Sequence, residues 1–257
     1  MAYLRNPLAW HKRYVEGVYD TPSNPASFIG RAGHLALEHF YNGIEKQPAI
    51  SLGLEYLKRV PDFEIEFGKR NETKTARKKK RLDMEKEYLQ AIHYYLEKPP
   101  RHKVLGVEIR GMAKVKGLPL PIKAISDLVV ESKSNPGAVD IVDHKFVNAF
   151  SEDGGEKPLF VLQAIFNYYT VLAMFKRPVE RFIVFECKKR KNKDGKPQMR
   201  KYVFEYRDYE EDFVLFHRLL KDATKEITRT RVYLPNPSDM FEGKNSFEVY
   251  RMELIDD

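Results

Sequence analysis

The amino-acid sequence predicts an α+β fold, a central mixed β-sheet flanked by helices, with a helical elaboration over residues 1–100. Three observations predict it. Helical patterning dominates the first hundred residues. Three β-branched runs separated by turn signals follow. A buried helix, a hairpin and a last helix complete the order, which suits a mixed sheet.

Taken in order, residues 3–16 are aromatic-rich, with a short helix after Pro7. Trp10 and Tyr14 stand four apart on it and are expected to pack in the core. Two prolines make 20–27 a loop. Helices are expected over 28–41, 51–60 and 83–97, and Pro99-Pro100 stops the last. Strands at 103–115, 121–131 and 139–147 are separated by Lys-Gly-Leu-Pro and Ser-Asn-Pro-Gly turns, so they read as an antiparallel meander. Residues 158–174 read as a buried helix with Pro158 near its start. Strands 180–188 and 199–206 form a hairpin, and 209–230 an amphipathic helix. The tail, 233–257, is loop-like with a short strand. One domain is expected throughout, with 1–100 mainly helical and 101–232 the core.

Composition narrows the class. Of 257 residues, 42% are hydrophobic, enough to bury a core. The single cysteine, Cys187, excludes a disulfide framework and any all-cysteine metal site. No run has the length of a membrane span and the N-terminus has no apolar signal core, so a soluble cytoplasmic protein is expected. Net charge is +8, yet residues 69–81 carry +7 and 188–201 carry +7, leaving −6 on the rest. Two basic blocks on an acidic body suit a polyanion such as a phosphate backbone; a solvated loop or a localisation signal would also account for either block alone.

The chemistry concentrates elsewhere. In IVDHKF, Asp143 and Lys145 share one strand face, with His144 opposite. The turn at 135–137 lies midway between Asp127 and Asp143, so hairpin pairing brings the two carboxylates together. A hard divalent cation relieves their repulsion. On the helix at 28–41, His34 and Glu38 lie on one face, behind Gly30 and Gly33, which suggest close backbone approach. Taken singly, these are equally an Asp–Lys pair on a strand and a His–Glu pair on a helix surface.

Together, GxxxHxxxE (Gly30, His34, Glu38), IKAISD ending in Asp127, IVDHKF (Asp143, Lys145) and the Gln163-bearing LQAIFNYY resemble the RecB-type branch of the PD-(D/E)xK nuclease superfamily. That branch includes the nuclease domains of the RecBCD and AddAB helicase–nucleases and CRISPR-associated adaptation exonucleases. The resemblance runs from about residue 3 to about 240. It implies a restriction-endonuclease-like core and a metal-dependent DNA exonuclease acting on single strands or ends, in recombination or repair, CRISPR adaptation or phage DNA processing. His34, Asp127, Asp143 and the backbone carbonyl of His144 match metal ligands. Lys145 matches the catalytic lysine. Glu38 and Gln163 match orienting positions, and Glu108 a commonly acidic one. Mg²⁺ or Mn²⁺ is the implied cofactor, with the imidazole favouring Mn²⁺. DNA is the implied partner, gripped by Lys78, Lys79, Lys80, Arg81, Lys188, Lys189, Arg190 and Lys191, and a helicase or recombination protein a further one. The other readings are a structure-specific or restriction-like endonuclease and an inactive nuclease-fold DNA-binding module.

The sequence departs from the family pattern at three places. Ala124 stands where Gly often precedes the first Asp, and Asn167 where Tyr often follows the Gln, with Tyr168 next. Asn6 stands where many members place the first of four cluster-binding cysteines, and LPNPSDMFEGKNSF holds none, so no iron–sulfur cluster is expected.

Overall fold

The computed structural model describes residues 3, 6–18, 22–68, 73–151, 158–192, 195–229 and 232–233. The strand expected in the tail and residues 69–72 of the first basic run lie outside them. The chain divides into two compact units. The larger comprises Pro22–Val115 and Pro121–Phe213, the smaller Met1–Thr21, Lys116–Leu120 and Val214–Asp257.

In the smaller unit, α1 (Pro7–Tyr14) starts on Asn6, whose side chain accepts the Ala9 N–H at 3.0 Å. Tyr3 meets Trp10 edge-on at 5.2 Å, and His11 stacks on Tyr233 at 4.4 Å. Trp10 is partly buried, as a packing role requires, but Tyr14 is 58% exposed. The helix ends at Tyr14, and Arg13 lies over its ring at 5.8 Å.

The larger unit opens with α2 (Pro25–Tyr41), which begins three residues before the expected 28. Asn24 caps it, accepting the Ser27 N–H at 2.9 Å, and Pro25 suits the first helical position because it has no N–H to leave unpaired. Next come α3 (Lys46–Arg59) and α4 (Lys74–Glu97). The latter begins nine residues before the expected 83: residues 74–81 of the first basic block are its opening turns, capped by Thr73.

Five strands form one sheet in the order β1 (Val104–Ala113), β2 (Ile122–Glu131), β3 (Val139–Val147), β4 (Val179–Lys188), β5 (Met199–Glu205). Neighbours are antiparallel except β3 and β4, which run parallel and are joined by α5 (Pro158–Phe175). Parallel neighbours need such a crossover, and it makes the sheet mixed, as expected. A last helix, α6, spans Glu210–Ile227.

Helices α2 and α4 cover one face of the sheet, burying Phe28, Tyr88 and Ile92 with Leu128, Val142 and Phe185. The other face carries α5. Adjacent residues of β3 show the two sides: Asp143 reaches Gln163 of α5, whereas His144 packs against Tyr41 of α2 and Tyr95 of α4. The β3 strand is covered on both faces, which is why its run of Val139, Ile141 and Val142 is apolar without interruption by charge except at Asp140. Asp140 is 1% exposed and is neutralised by Arg181, whose Nε donates to it at 3.1 Å.

Candidate active site

The site lies where strand alternation breaks. Gly106 and Gly111 of β1 both face α5: a Cβ on the first would meet Phe175, and on the second Thr170. Their spacing of five is odd, so the two-residue alternation must slip once between them. The residue that absorbs the slip is Glu108, whose φ of 48° is in the left-handed region. For a non-glycine residue that costs ~1–2 kcal/mol. The slip turns the Glu108 carboxylate off the regular ladder toward α2, where His34 Nδ1 is 3.9 Å away.

Opposite, the β2–β3 ladder ends at Leu128 and Val142, so Asp127 and Asp143 face each other at its open end. Asp127 accepts the His144 backbone N–H at 2.7 Å and lies 3.3 Å from His34 Nδ1. One ligand atom each from His34, Glu108 and Asp127 falls within 4.8 Å of the others. The same cavity, about 510 Å³, is lined by Glu38, Gly30 and Arg31.

Asp143 stands beside this trio. Its Oδ1 accepts from Gln163 Nε2 at 2.7 Å and from Lys145 Nζ at 3.0 Å. Its Oδ2 is buried without a hydrogen bond, although the Lys145 ammonium lies 2.7 Å away at an angle unsuited to one. Gln163 is itself fixed from behind. Asn167 donates to the Gln163 carbonyl at 2.9 Å and accepts from Ser126 at 2.6 Å. Asn167 is buried in this bracing role, and Tyr168 packs instead against Tyr206 and Phe213.

Electrostatics tie the groups together. Burial works against a charged His34, but the Asp127 carboxylate outweighs it and lifts the imidazole to about 9. Burial likewise works against a charged Asp127, and His34 outweighs it, holding Asp127 down to about 2. Burial raises Asp143, reinforced by Asp127 and opposed by Lys145. Burial would lower Lys145, but Asp143 and Asp127 hold it above its ordinary value. Burial raises Glu108, and neighbouring Asp127 adds to it. The His144 ring points away from the cavity into an aromatic nest, where burial lowers it to about 3 and keeps it neutral. Tyr95 Oη lies 3.3 Å from its Nδ1.

A divalent cation fits these residues. An imidazole and two carboxylates converge, and a third carboxylate keeps one buried oxygen without a hydrogen bond. The trio holds two of the expected ligands, His34 and Asp127, and adds Glu108. Glu108 stands with His34 and Asp127, while Asp143 holds Lys145 and Gln163.

A family model described as "PD-(D/E)XK nuclease superfamily" matches residues 1–240. The chain belongs to that superfamily. Its five-stranded mixed sheet flanked by helices suits the restriction-endonuclease-like fold of these metal-dependent nucleases. Among solved structures the chain is similar to one described as "Crystal structure of SSO0001", at 15% identity, a TM-score of 0.33, and coverage of 85% of this chain and 81% of that one. No curated protein matches. Among the described residues, no helix is long and apolar enough to cross a membrane.

The remaining expected positions separate into two groups. Gly33 answers the expectation of close approach, since a Cβ there would stand 2.6 Å from Phe146 Cδ2, whereas Gly30 faces open space. Lys78, Lys79 and Lys191 are exposed, as a nucleic-acid grip requires. Arg81 is turned inward: its Nε donates to Asp62 at 2.6 Å and its guanidinium also reaches the Leu57 and Val60 carbonyls. Arg190 pairs with Glu87 of α4 at 2.6 Å, and Lys188 donates to Asn192. Lys189 is corrected outright as a surface cation, being only 2% exposed. Strand pairing carries it there, because its N–H continues the β3–β4 ladder to the Val147 carbonyl at 2.9 Å.

Proposed function

We propose that this nuclease is a Mg²⁺- or Mn²⁺-dependent DNA exonuclease of the RecB-type branch, acting on single strands or DNA ends. The convergence of His34, Glu108 and Asp127 beside the Asp143–Lys145–Gln163 group carries the reading. The motif order from Gly30 to Gln163 supports the branch.

His34, Asp127 and Glu108, with Asp143 and the His144 carbonyl, would hold the ion. When bound, it supplies Lewis-acid polarisation of the phosphodiester and a more acidic water. The chain's own groups do the rest. Lys145 stays protonated beside Asp143 and places its ammonium where charge grows on the phosphate. Gln163 fixes the Asp143 carboxylate, and the His144 N–H fixes Asp127, so neither reorients when substrate arrives. Glu38, on the cavity wall, orients the water or the strand.

The test uses end-labelled single- and double-stranded DNA and circular single strands, with Mn²⁺, Mg²⁺ or EDTA. The expected result is loss of the linear substrates with Mn²⁺, intact circles, no cleavage in EDTA, and a fall of at least about a hundredfold in Lys145→Ala, the scale of losing one preorganised electrostatic group. Cleavage that survives in the purified Lys145→Ala protein would remove the site assignment, and cut circles would remove the exonuclease mode.

A further inference from the structure

A second cavity, about 470 Å³, opens at the N-terminus of α2, lined there by Asn24 and Ala26. It is also lined by Lys80 of α4, and by Asn148, Lys189 and Arg190. The two basic blocks, more than a hundred residues apart in sequence, thus meet around one hollow.

Lys189 is the unusual member. It is 2% exposed, yet its side chain makes no hydrogen bond or ion pair among the described residues. Charges rarely go into protein interiors without a partner, because the lost hydration is not replaced. The carboxylates nearby do not supply one. Glu87 is engaged by Arg190, whose Nε and terminal nitrogen donate to it at 2.9 and 2.6 Å, and Asp83 is exposed. The groups that act on the Lys189 ammonium are Glu87, Arg190 and Lys80, all of which line the cavity, so the ammonium faces that space. Burial, opposed by Glu87 and aided by the two neighbouring cations, lowers its proton affinity, and an anion in the hollow would reverse that.

The positive end of a 17-residue helix, the ammonium of the buried Lys189 side chain, a second lysine and Asn148 line one space, with the Asp83 and Glu87 carboxylates on its wall. This is the chemistry that recognises a phosphate group: a helix N-terminus with cations and amide donors around it. From Ala26 to His34 is eight residues of α2, roughly 12 Å along the helix axis. We propose that this cavity binds one phosphate of the nucleic-acid strand, away from the bond that is cleaved. The proposal rests on the nuclease reading for the identity of its ligand. Bound phosphate would neutralise Lys189 and fix where the strand crosses α2, whereas Lys78, Lys79 and Lys191 supply only diffuse attraction.

The test measures anisotropy of a fluorescein-labelled single-stranded oligonucleotide with the full chain in EDTA, so that nothing is cut. Lys189→Met is expected to weaken binding by about tenfold or more, the effect of one charge-assisted hydrogen bond, while keeping or raising the thermal midpoint. Asn148→Asp, a change at an exposed position that needs no repacking, is expected to weaken binding similarly by placing a carboxylate at the cavity. Lys78→Ala is expected to change binding by less than about threefold, as for one diffuse surface charge. Binding within twofold of wild type in both Lys189→Met and Asn148→Asp overturns the proposal. If inorganic phosphate raises the wild-type midpoint but oligonucleotide binding ignores Lys189, the cavity takes free phosphate and the strand assignment also falls. Failure here leaves metal-dependent cleavage by the wild-type chain untouched. Conversely, a chain that cuts nothing with Mn²⁺ but loses DNA in Lys189→Met loses the nuclease reading alone.

Discussion

The His34–Asp127 pair stabilises the metal-free protein most at mildly acidic pH, and the effect can be isolated. In the folded chain His34 keeps its proton up to about 9, against an ordinary value of 6.5. The unfolded chain releases that proton near 6.5. The pair's contribution is therefore complete between about pH 4 and 6.5, is lost as pH rises through about 9, and is lost on the acid side as Asp127 takes up a proton toward about 2. The two values differ by about 2.5 units, which at 1.36 kcal/mol each is on the order of 3 kcal/mol. His34 is 29% exposed, so solvent screening trims this only modestly. The assay is urea unfolding in EDTA from pH 6 to pH 10, for wild type and His34→Gln. Other groups titrate over that range in both proteins and cancel in the difference. The wild-type advantage should shrink by about 3 kcal/mol across it, a large part of an ordinary folding free energy of about 5–15 kcal/mol. Parallel curves would refute the pairing. The same proton must leave before an ion binds, so Mn²⁺ affinity should rise about tenfold per pH unit between 6.5 and 9.

Two further substitutions probe the geometry. Glu108→Gly removes a carboxylate from the trio and relieves a left-handed φ of 48°. It should leave thermal stability in EDTA unchanged or higher by about 1 kcal/mol, while Mn²⁺ affinity by calorimetry falls at least about tenfold. A clear loss of stability in EDTA would show that the backbone there is not strained. Gly33→Ala drives a methyl group into the Phe146 ring, 2.6 Å from Cδ2, and should cost about 1–3 kcal/mol in urea unfolding. Pairing it with Phe146→Leu should recover much of that cost, and a strictly additive double mutant would remove the contact as the cause.

The strands were legible because their signals are local. Ser134-Asn135-Pro136-Gly137 can only turn, and it sets Asp127 opposite Asp143. The first basic run is helical because propensity outweighs charge repulsion there. Lys and Arg are good helix formers, like-charge neighbours cost only tenths of a kcal/mol, and no Gly or Pro interrupts residues 74–97. The capping Thr73 was a start signal in plain view. Glu108 was harder. Its place in the trio depends on a slip in alternation, and that slip shows only when both Gly106 and Gly111 are found against α5.

Lys189 lies between these cases. In KKRK it resembles its neighbours, and composition makes all four solvent-facing cations. Strand alternation distinguishes it. Phe185 and Cys187 are buried, and the Cys187 thiol points at the Ala91 carbonyl of α4, 3.5 Å away. Two residues on, Lys189 continues that inward row and is buried, whereas Lys188 is half-buried and Arg190 exposed. Period two, followed one step past the apolar residues, therefore separates the one inward cation from the solvated ones. A cation so placed costs folding free energy that an anion in the cavity beside it would return.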